Sequence, residues 1–290
     1  MLSKRYLRWL VESGHVSGWD DPRMPTLAAM RRRGYPGIAI RNFVEQVGLA
    51  KADSTVDVQM LDACVRDVLG DSAPRVMAVL NPVKVVFTNV PDDWTNTLTM
   101  ENHPDHPELG EREVTISKEI WIEKEDFEEV PPKKFFRLKP EGEVRLKGAY
   151  IIKCENVVKN EAGEIDRIEC SIDLSSRSGS EGANRKVKGT IHWVNARDCA
   201  EFEARLYEQL LSEEWDTVSA EERKDVTAYV NENSLQVVNG YCEHTLISAN
   251  VGDTFQFLRM GYFCKDKDST EEKSVYNRVV SLKDSYKPQK

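Results

Sequence analysis

Residues 143–154 have the sequence EVRLKGAYIIKC, in which apolar side chains alternate with polar or charged ones. The apolar residues that share one parity are Val144, Leu146, Tyr150, Ile152 and Cys154. Because successive side chains of a strand point to opposite faces, this alternation predicts half-buried β-strands rather than a helix. Gly148 interrupts the alternation, and a glycine inside a strand pattern indicates a bulge or bend.

Further short segments with strand character lie before and after this one. They occur at 83–87, 165–172, 187–193, 235–238, 254–258, 262–264 and 275–282. No βαβ unit connects them, so the pattern favours antiparallel barrels or sandwiches over a parallel sheet. The predicted fold class is therefore mainly β from about residue 75 onward.

The first 75 residues have helical character instead. One helix is expected over 25–33 and a second over 37–47, because the glycines at 34 and 48 would end them. A third, capped by Asp53 or Thr55, would continue to residue 70. Three short helices joined by tight turns predict a compact N-terminal α-helical subdomain. A further short helix is expected at 201–212.

Length and composition restrict the class of protein. The chain has 290 residues, which predicts two structural units, or three if some are small. Hydrophobic residues make up 40% and charged residues 31%, which excludes disordered, collagen-like and membrane-spanning classes. No apolar run approaches the roughly 18 residues of a spanning helix, and the basic start lacks the apolar segment of a secretory signal. We therefore expect a cytoplasmic protein without membrane contact.

Cysteine and histidine residues form no recognisable metal-binding pattern. The six cysteines include no C-x-x-C pair, and we expect reduced, mostly buried thiols. His103 and His106 are close in sequence, but a proline follows each of them directly and no further His or Cys lies nearby. A surface loop is the favoured interpretation, and no metal site is expected.

The distribution of charge differs from its mean. The net charge of −9 taken alone argues against a polyanionic partner. However, residues 1–41 carry eight basic and three acidic side chains, and residues 131–153 carry seven and two. Residues 101–129 between them carry eleven acidic and three basic side chains. Two cationic surfaces and one anionic surface are therefore expected, although ordinary solvated faces would explain the same pattern.

Several short strings carry a resemblance to a known family. The segment GWDDPRMPTL at 18–27, followed by RRRGY at 31–35, resembles the segment after the signature loop in glutaminyl-tRNA synthetases. Just upstream, MLSKR at 1–5 is similar to that family's version of the class I K-M-S-K-S loop. Further similar strings are APRVMAV at 73–79, NHP at 102–104, EIWI at 119–122, EVRL at 143–146, KVKGTIHW at 186–193 and GYFC at 261–264. They follow one another in order over essentially the whole chain.

The resemblance implies a carboxy-terminal fragment of such a synthetase, mainly β, with two antiparallel β-barrels that hold the anticodon. The signature loop and helical subdomain would occupy 1–74, the proximal barrel 75–131 with 206–290, and the distal barrel 132–205. The Rossmann catalytic core would precede residue 1, so this chain alone should be inactive. The intact enzyme would use ATP with Mg²⁺, but neither ATP nor Mg²⁺ is expected to bind this chain alone. The partner would be glutamine tRNA, and the protein would be a monomer.

The resemblance also assigns roles at the N-terminus. Lys4 would neutralise charge on the ATP triphosphate as the substrate carboxylate attacks, with Ser3 and Arg5 beside it. The arginines at 31–33 would contact the tRNA backbone. They fall in the last turn of their helix, where cations meet the negative end of the dipole, which is a sufficient structural reason for them. Since successive helical positions point about 100° apart, at least one of the three must leave the packed face.

Anticodon recognition is assigned by position within the matched strings. Unpaired bases are read through their exposed edges, which favours arginine forks, amides and aromatic platforms. The residues assigned to this role are Arg75, Arg137, Arg145, Lys147, Gln256 and, more weakly, Arg259. Arg145 alternates with Val144 and Leu146, so it should project from the solvated face of its strand. Lys147 stands where the family has arginine, which keeps the charge but loses the fork. Each residue could also be an ordinary surface side chain.

Three alternatives remain open at this point. A eukaryal-type glutamyl-tRNA synthetase would share the two-barrel plan. A β-barrel module that binds protein rather than RNA could use the acidic segment 101–129 as its docking face. A metallohydrolase built around His103 and His106 has little support in the sequence.

Overall fold

A computed structural model describes residues 3–48, 56–219 and 225–282, and its regular structure is mainly β. The α-helices are α1 (Lys4–Glu12), α2 (Leu27–Arg33), α3 (Gly37–Val47), α4 (Val58–Ser72) and the short α5 (Glu214–Thr217). Met1 and Leu2 of the signature string and the expected helix caps Asp53 and Thr55 lie outside the described residues.

The strands begin directly after α4. In chain order they are β1 (Arg75–Val76), β2 (Ala78–Val79), β3 (Pro82–Phe87), β4 (Thr95–Glu101), β5 (Glu111–Ser117), β6 (Glu119–Glu123), β7 (Glu143–Leu146), β8 (Ile151–Lys159), β9 (Ile165–Asp173), β10 (Thr190–Ile191), β11 (Val194–Asn195), β12 (Cys199–Tyr207), β13 (Leu235–Glu243), β14 (Thr254–Phe257), β15 (Gly261–Lys265) and β16 (Ser274–Val280). The short helix expected at 201–212 is wrong, because β12 occupies most of that range.

The first two predicted helices are confirmed, and local chemistry explains their ends. The Thr26 hydroxyl accepts a hydrogen bond from the backbone N–H of Ala29 at 3.0 Å and caps the start of α2. Gly34 ends α2 with a φ of 105°, a left-handed conformation that favours glycine. A Cβ at this position would lie 2.4 Å from the Cβ of Cys264, so close packing also requires glycine there.

The N-terminal helices do not share one core of their own. Helices α3 and α4 pack, through residues such as Ala39 and Val65, against Tyr262 and Val279 of β15 and β16. Helix α1 packs instead against Leu210, Leu211, Trp215 and Val226. The expectation of a separate compact helical subdomain is therefore not confirmed, because each cluster is completed by residues from the other end of the chain.

Two seven-stranded sheets form the body of the protein. Sheet I has the order β1-β14-β15-β16-β12-β13-β2, and sheet II the order β10-β7-β8-β9-β3-β6-β11. In sheet I the edge strands β1 and β2 are separated only by Met77, and in sheet II β10 and β11 only by His192 and Trp193. Since neighbouring chain segments form both edges, each sheet curls into a barrel-like ring. Strands β4 and β5 form a separate hairpin whose inner side chains join the core of sheet II.

Each ring contains parallel as well as antiparallel pairs, so the expectation of purely antiparallel barrels is wrong in this respect. Strand β1 runs parallel to β14, and β12 to β16. In sheet II the parallel pairs are β7 with β10 and β3 with β9. Sheet I read from β1 and sheet II read from β10 have the same succession of strand pairs: one parallel and two antiparallel pairs, followed again by one parallel and two antiparallel pairs.

The sheets divide the chain at different places from the expected domains. The expectation grouped 75–131 with 206–290, but β3 and β6 pair within sheet II. It also placed residues up to 205 in the distal barrel, whereas β12 pairs with β13 and β16 in sheet I. The physical reason is long-range strand pairing, which local alternation cannot specify.

Candidate nucleic-acid interface

The larger of two neighbouring cavities has a volume of about 660 Å³ and lies where β1, the β4–β5 hairpin and the β7–β8 turn meet. Its charged lining residues are Arg75, Arg112, Lys147, Arg177, Glu101 and Glu111. Four cations and two carboxylates therefore line this cavity, and further carboxylates pair with two of the cations, Arg75 and Arg112. We call it the Arg75 cavity.

Arg75 lines this cavity, and β1 fixes its backbone. Its N–H donates to the carbonyl of Asn102 at 2.7 Å, and Arg75 is directly paired with Gln256 in the parallel strand β14. Directly paired residues of neighbouring strands project to the same face, so the side chains of Arg75 and Gln256 leave the sheet on one side, although Gln256 does not line the cavity. The Nε of Arg75 is buried and has no hydrogen-bond partner among the described residues, while Nη2 lies 3.7 Å from an Asp105 carboxylate oxygen. One donor of the guanidinium therefore lacks a protein acceptor among the described residues.

Two further arginines of the Arg75 cavity are fixed by protein acceptors. Arg112 donates from Nε and Nη2 to the buried Glu243 carboxylate at 2.6 and 2.8 Å. Arg177 donates to the carbonyl of Thr97 at 3.1 Å. Lys147 is exposed and has no ion pair among the described residues, so it is the adaptable cation of this site.

The smaller cavity, of about 190 Å³, lies on the other side of the turn at 257–260, because Leu258 lines the first cavity and Arg259 the second. Arg137 and Arg259 both face the carboxylate of Asp126 here. His192 and Glu123 form its inner wall, 3.7 Å apart. Burial would raise the pKa of Glu123, but the nearby His192 ring and the hydrogen bonds from the backbone N–H groups of Leu80 and Asn81 lower it below its usual value. We call this the Asp126 cavity.

Arg145 lies in neither cavity. Its guanidinium is half-buried and donates to the carbonyls of Ser176 and Ala183 at 2.9 Å and of Arg185 at 3.2 Å. The expectation that Arg145 projects into solvent is wrong. The polar loop after β9 folds over its side chain and accepts its hydrogen bonds. These contacts favour a role in holding that loop.

His103 is buried, and both of its ring nitrogens are in hydrogen bonds. Nε2 lies 2.8 Å from the carbonyl of Gly70, and Nδ1 accepts from the backbone N–H of Asp105 at 3.2 Å. His106 pairs instead with Glu108 at 2.7 Å. The pair therefore has a structural explanation, and the described residues contain no group of three metal-ligating side chains.

Comparison with known proteins identifies the family. Models of the anticodon-binding domain of class I tRNA synthetases (E and Q) match residues 73–173 and 190–266, and the catalytic-domain model of that family matches residues 1–71. The glutamine–tRNA ligase of Clostridium perfringens is 50% identical over 288 residues, which cover 99% of this chain and 52% of the relative. The chain belongs to the class I tRNA synthetases of the E and Q group.

Other glutamine–tRNA ligases are similar to the same extent. That of Bradyrhizobium diazoefficiens is 47% identical over 287 residues, and that of Xanthomonas axonopodis pv. citri 48% over 287 residues. Each alignment covers 99% of this chain and 50% or 49% of the relative. The chain spans about half the length of the curated relatives it matches. The resemblance carried by the short strings is thus confirmed.

The triple arginine of this synthetase chain separates into two kinds of residue. Arg32 is largely buried and bonds the carboxylates of Asp266 at 2.9 Å and Asp268 at 2.7 Å. Arg33 donates to the backbone of β16 and lies over the ring of Tyr207. Arg31 is exposed. Of the three, Arg31 is therefore the one free to approach a phosphate.

The described part of the signature segment is the start of α1. Ser3 precedes the helix and accepts at its carbonyl from the N–H of Leu7 at 3.1 Å. Lys4 and Arg5 are exposed in the first turn, and Arg5 donates to the hydroxyl of Tyr6 at 3.1 Å.

No helix among the described residues combines the length and apolar character needed to cross a membrane.

Sequence reasoning missed Arg112, Arg177 and Asp126. Arg112 and Asp126 lie inside the acidic segment 101–129, where counting charges concealed them. Arg177 is the only charged residue of the loop 174–180, and a single cation in a polar loop could have been predicted as a binding residue. For Asp126 the sequence offers no comparable signal, because its partners lie 11 and 133 residues away.

Proposed function

We propose that this chain recognises the anticodon of glutamine tRNA as the anticodon-binding portion of a glutamine–tRNA ligase, the enzyme class that joins glutamine to its tRNA. The observation that carries the proposal is the Arg75 cavity, in which a partly exposed guanidinium, whose Nε has no acceptor among the described residues, lies with the exposed ammonium of Lys147 and is paired through its strand with Gln256. The relatives are named glutamine–tRNA ligases, which supports glutamine over glutamate.

The chemistry of the cavity suits an unstacked base. A base edge offers two or three donors and acceptors in fixed positions, and an arginine fork beside a glutamine amide can satisfy both kinds. Arg75 and Gln256 would read the edge, and Lys147 would neutralise the neighbouring phosphate. Arg137 and Arg259 would read a second nucleotide in the Asp126 cavity. Arg145 would act indirectly, by fixing the loop that supplies Arg177.

The remaining parts of the proposal concern the intact enzyme. Ser3, Lys4 and Arg5 would contact ATP, with Mg²⁺, when the catalytic region is complete, and exposed cations in the first turn of α1 are compatible with that role. The phosphate chain of ATP would supply the leaving group for activation of glutamine. Arg31 would contact the tRNA backbone. We propose a monomer that acts in the cytoplasm, where tRNA is charged.

The test is direct binding of glutamine tRNA and of variants with single anticodon substitutions. Arg75→Ala should weaken cognate binding by about 1–3 kcal/mol and reduce discrimination at one anticodon position. Arg167→Ala is the matched control, because Arg167 is a partly exposed arginine of β9 that pairs with Asp166 and Glu169. It should leave discrimination unchanged.

Other outcomes would contradict the proposal. Tighter binding of glutamate tRNA would favour a glutamyl-tRNA synthetase, since the matched family models cover both specificities. Equal binding of all anticodon variants would exclude anticodon reading. Affinity that does not fall with rising salt would favour a protein partner, because phosphate contacts release counterions.

A further inference from the structure

Asp126 is a buried carboxylate that faces two arginines from distant parts of the chain. It ends the short 3₁₀ turn after β6, and only 1% of its side chain is exposed. One of its oxygens accepts from Nη1 of Arg259 and the other from Nη2, both at 2.6 Å. The Nε of Arg137 lies 3.3 Å from the second oxygen, and its Nη1 donates to the carbonyl of Glu125 at 2.7 Å.

The two arginines, unlike the acid, reach the surface. The side chain of Arg259 is 37% exposed and that of Arg137 is 43% exposed. An ordinary surface ion pair leaves both partners mobile and contributes little. Here the carboxylate is buried, so it fixes one edge of each guanidinium, while both arginine side chains stay partly exposed and line the cavity.

The backbone of Arg259 is also held in an unusual conformation. The N–H of Met260 donates to the carbonyl of Phe257 at 2.9 Å, which closes a four-residue turn with Arg259 in its third position. Its φ is 69°, a left-handed value that normally favours glycine or asparagine in that position. A residue with a long side chain in such a conformation commonly marks a functional site.

The hydrogen bonds of Arg259 leave one complete edge open. Asp126 occupies the end of the guanidinium formed by Nη1 and Nη2, and Nδ1 of His192 lies 3.5 Å from Nη1. Nε and the outer hydrogen of Nη2 have no acceptor among the described residues. These two N–H groups are parallel and form the second fork of the guanidinium, which matches two adjacent acceptors.

We propose that Asp126 is a positioning residue for base recognition, which orients Arg259 and Arg137 so that the open fork of Arg259 receives the edge of one anticodon base with two adjacent acceptors. This inference rests on the proposed function and adds a residue and a ligand chemistry to it. Pre-orientation lowers the rotamer entropy that two long side chains lose on binding. Two phosphate oxygens would also fit the fork geometrically, and the experiment separates them from a base edge.

The experiment uses the full chain with glutamine tRNA and one substitution at each anticodon position in turn. Asp126→Asn keeps the shape of the side chain but presents N–H groups to the arginines. It should reduce discrimination at a single anticodon position about tenfold and leave the other two positions within about twofold. Arg259→Lys keeps the charge and removes the fork, and it should affect the same position. The double variant should lose no more than either single variant, because both remove one unit.

Asp21→Asn is the matched control. Asp21 is also buried and also accepts two hydrogen bonds from one edge of an arginine, from Nε of Arg23 at 2.9 Å and Nη2 at 2.8 Å, but it lies outside both cavities. It should lower stability and leave discrimination unchanged. Circular dichroism and a thermal melt of each variant show that the compared proteins are folded.

Each result has a distinct meaning. If the wild-type chain fails to discriminate between anticodons, the proposed function itself is wrong. If it discriminates and Asp126→Asn keeps the full ratio at every position, only the positioning role is overturned. A uniform loss at all positions, with a salt dependence reduced by about one phosphate contact, would identify phosphate as the ligand and overturn base recognition.

Discussion

Glu243→Gln tests how the Arg75 cavity is held together. The buried Glu243 carboxylate accepts hydrogen bonds from Arg112 Nε at 2.6 Å, Arg112 Nη2 at 2.8 Å and the Met77 N–H at 2.7 Å. Met77 joins β1 and β2, the two edge strands of sheet I. The Glu243 side chain therefore holds both the place where the ring closes and Arg112, a cation of the cavity. Glutamine has one acceptor oxygen and presents N–H groups in place of the other.

The magnitude follows from these contacts. At least one N–H of Arg112 or Met77 would lose its acceptor in a buried place, and hydrogen bonds to charged groups each contribute about 1.5–3 kcal/mol. Breaking a buried ion pair costs about 3–5 kcal/mol, and relaxation of Arg112 into the adjacent cavity favours the lower end. We expect a loss of about 3 kcal/mol in the free energy of unfolding. With a slope of about 3 kcal/mol per M, the urea midpoint should fall by about 1 M.

The assay is urea unfolding followed by circular dichroism, with Asp92→Asn as the control. Asp92 pairs with Lys118 at 2.6 Å, but its side chain is 92% exposed, so its removal should leave the midpoint unchanged. A Glu243→Gln midpoint equal to that of the wild type would refute the reasoning, because the carboxylate would then hold neither Arg112 nor the junction of β1 and β2.

The remaining predictions concern a close approach, a shifted pKa and a covered loop. Gly34→Ala should lower stability by about 2–4 kcal/mol, because its Cβ would overlap Cys264 and its φ is left-handed; an unchanged thermal midpoint would contradict this. For Asp21, burial raises the pKa but hydrogen bonds from Arg23 and Ser17 outweigh it and lower the pKa to about 2. Its stabilisation, about 1–2 kcal/mol after allowance for solvent screening, should be complete above pH 4 and disappear as the pH falls towards 2, so Asp21→Asn and wild type should converge there in acid titrations. Arg145→Ala should make the loop at 174–185 more sensitive to limited proteolysis, since three carbonyls lose their donor; an unchanged cleavage rate would contradict the covering role.

Local patterns in the sequence were sufficient for many of the elements, although not for β12, and for part of the site. Alternation predicted β7 and β8, glycines predicted the ends of α2 and α3, and short strings identified the family. Arg75 and Lys147 were selected by position, and they line one cavity. These features depend on residues within about ten positions of one another, where strand and helix periodicities act directly.

Tertiary structure alone decided which segments meet. The sequence contains no internal repeat that would predict two rings with the same strand arrangement, and only the strand pairing shows them. Arg32 and Arg33 are adjacent to Arg31, yet Arg32 meets Asp266 and Arg33 meets β16, more than 200 residues away. Sequence fixes the period and charge of each segment, whereas the partner of a strand or a cation depends on the total free energy of contacts between distant segments, which no local pattern contains.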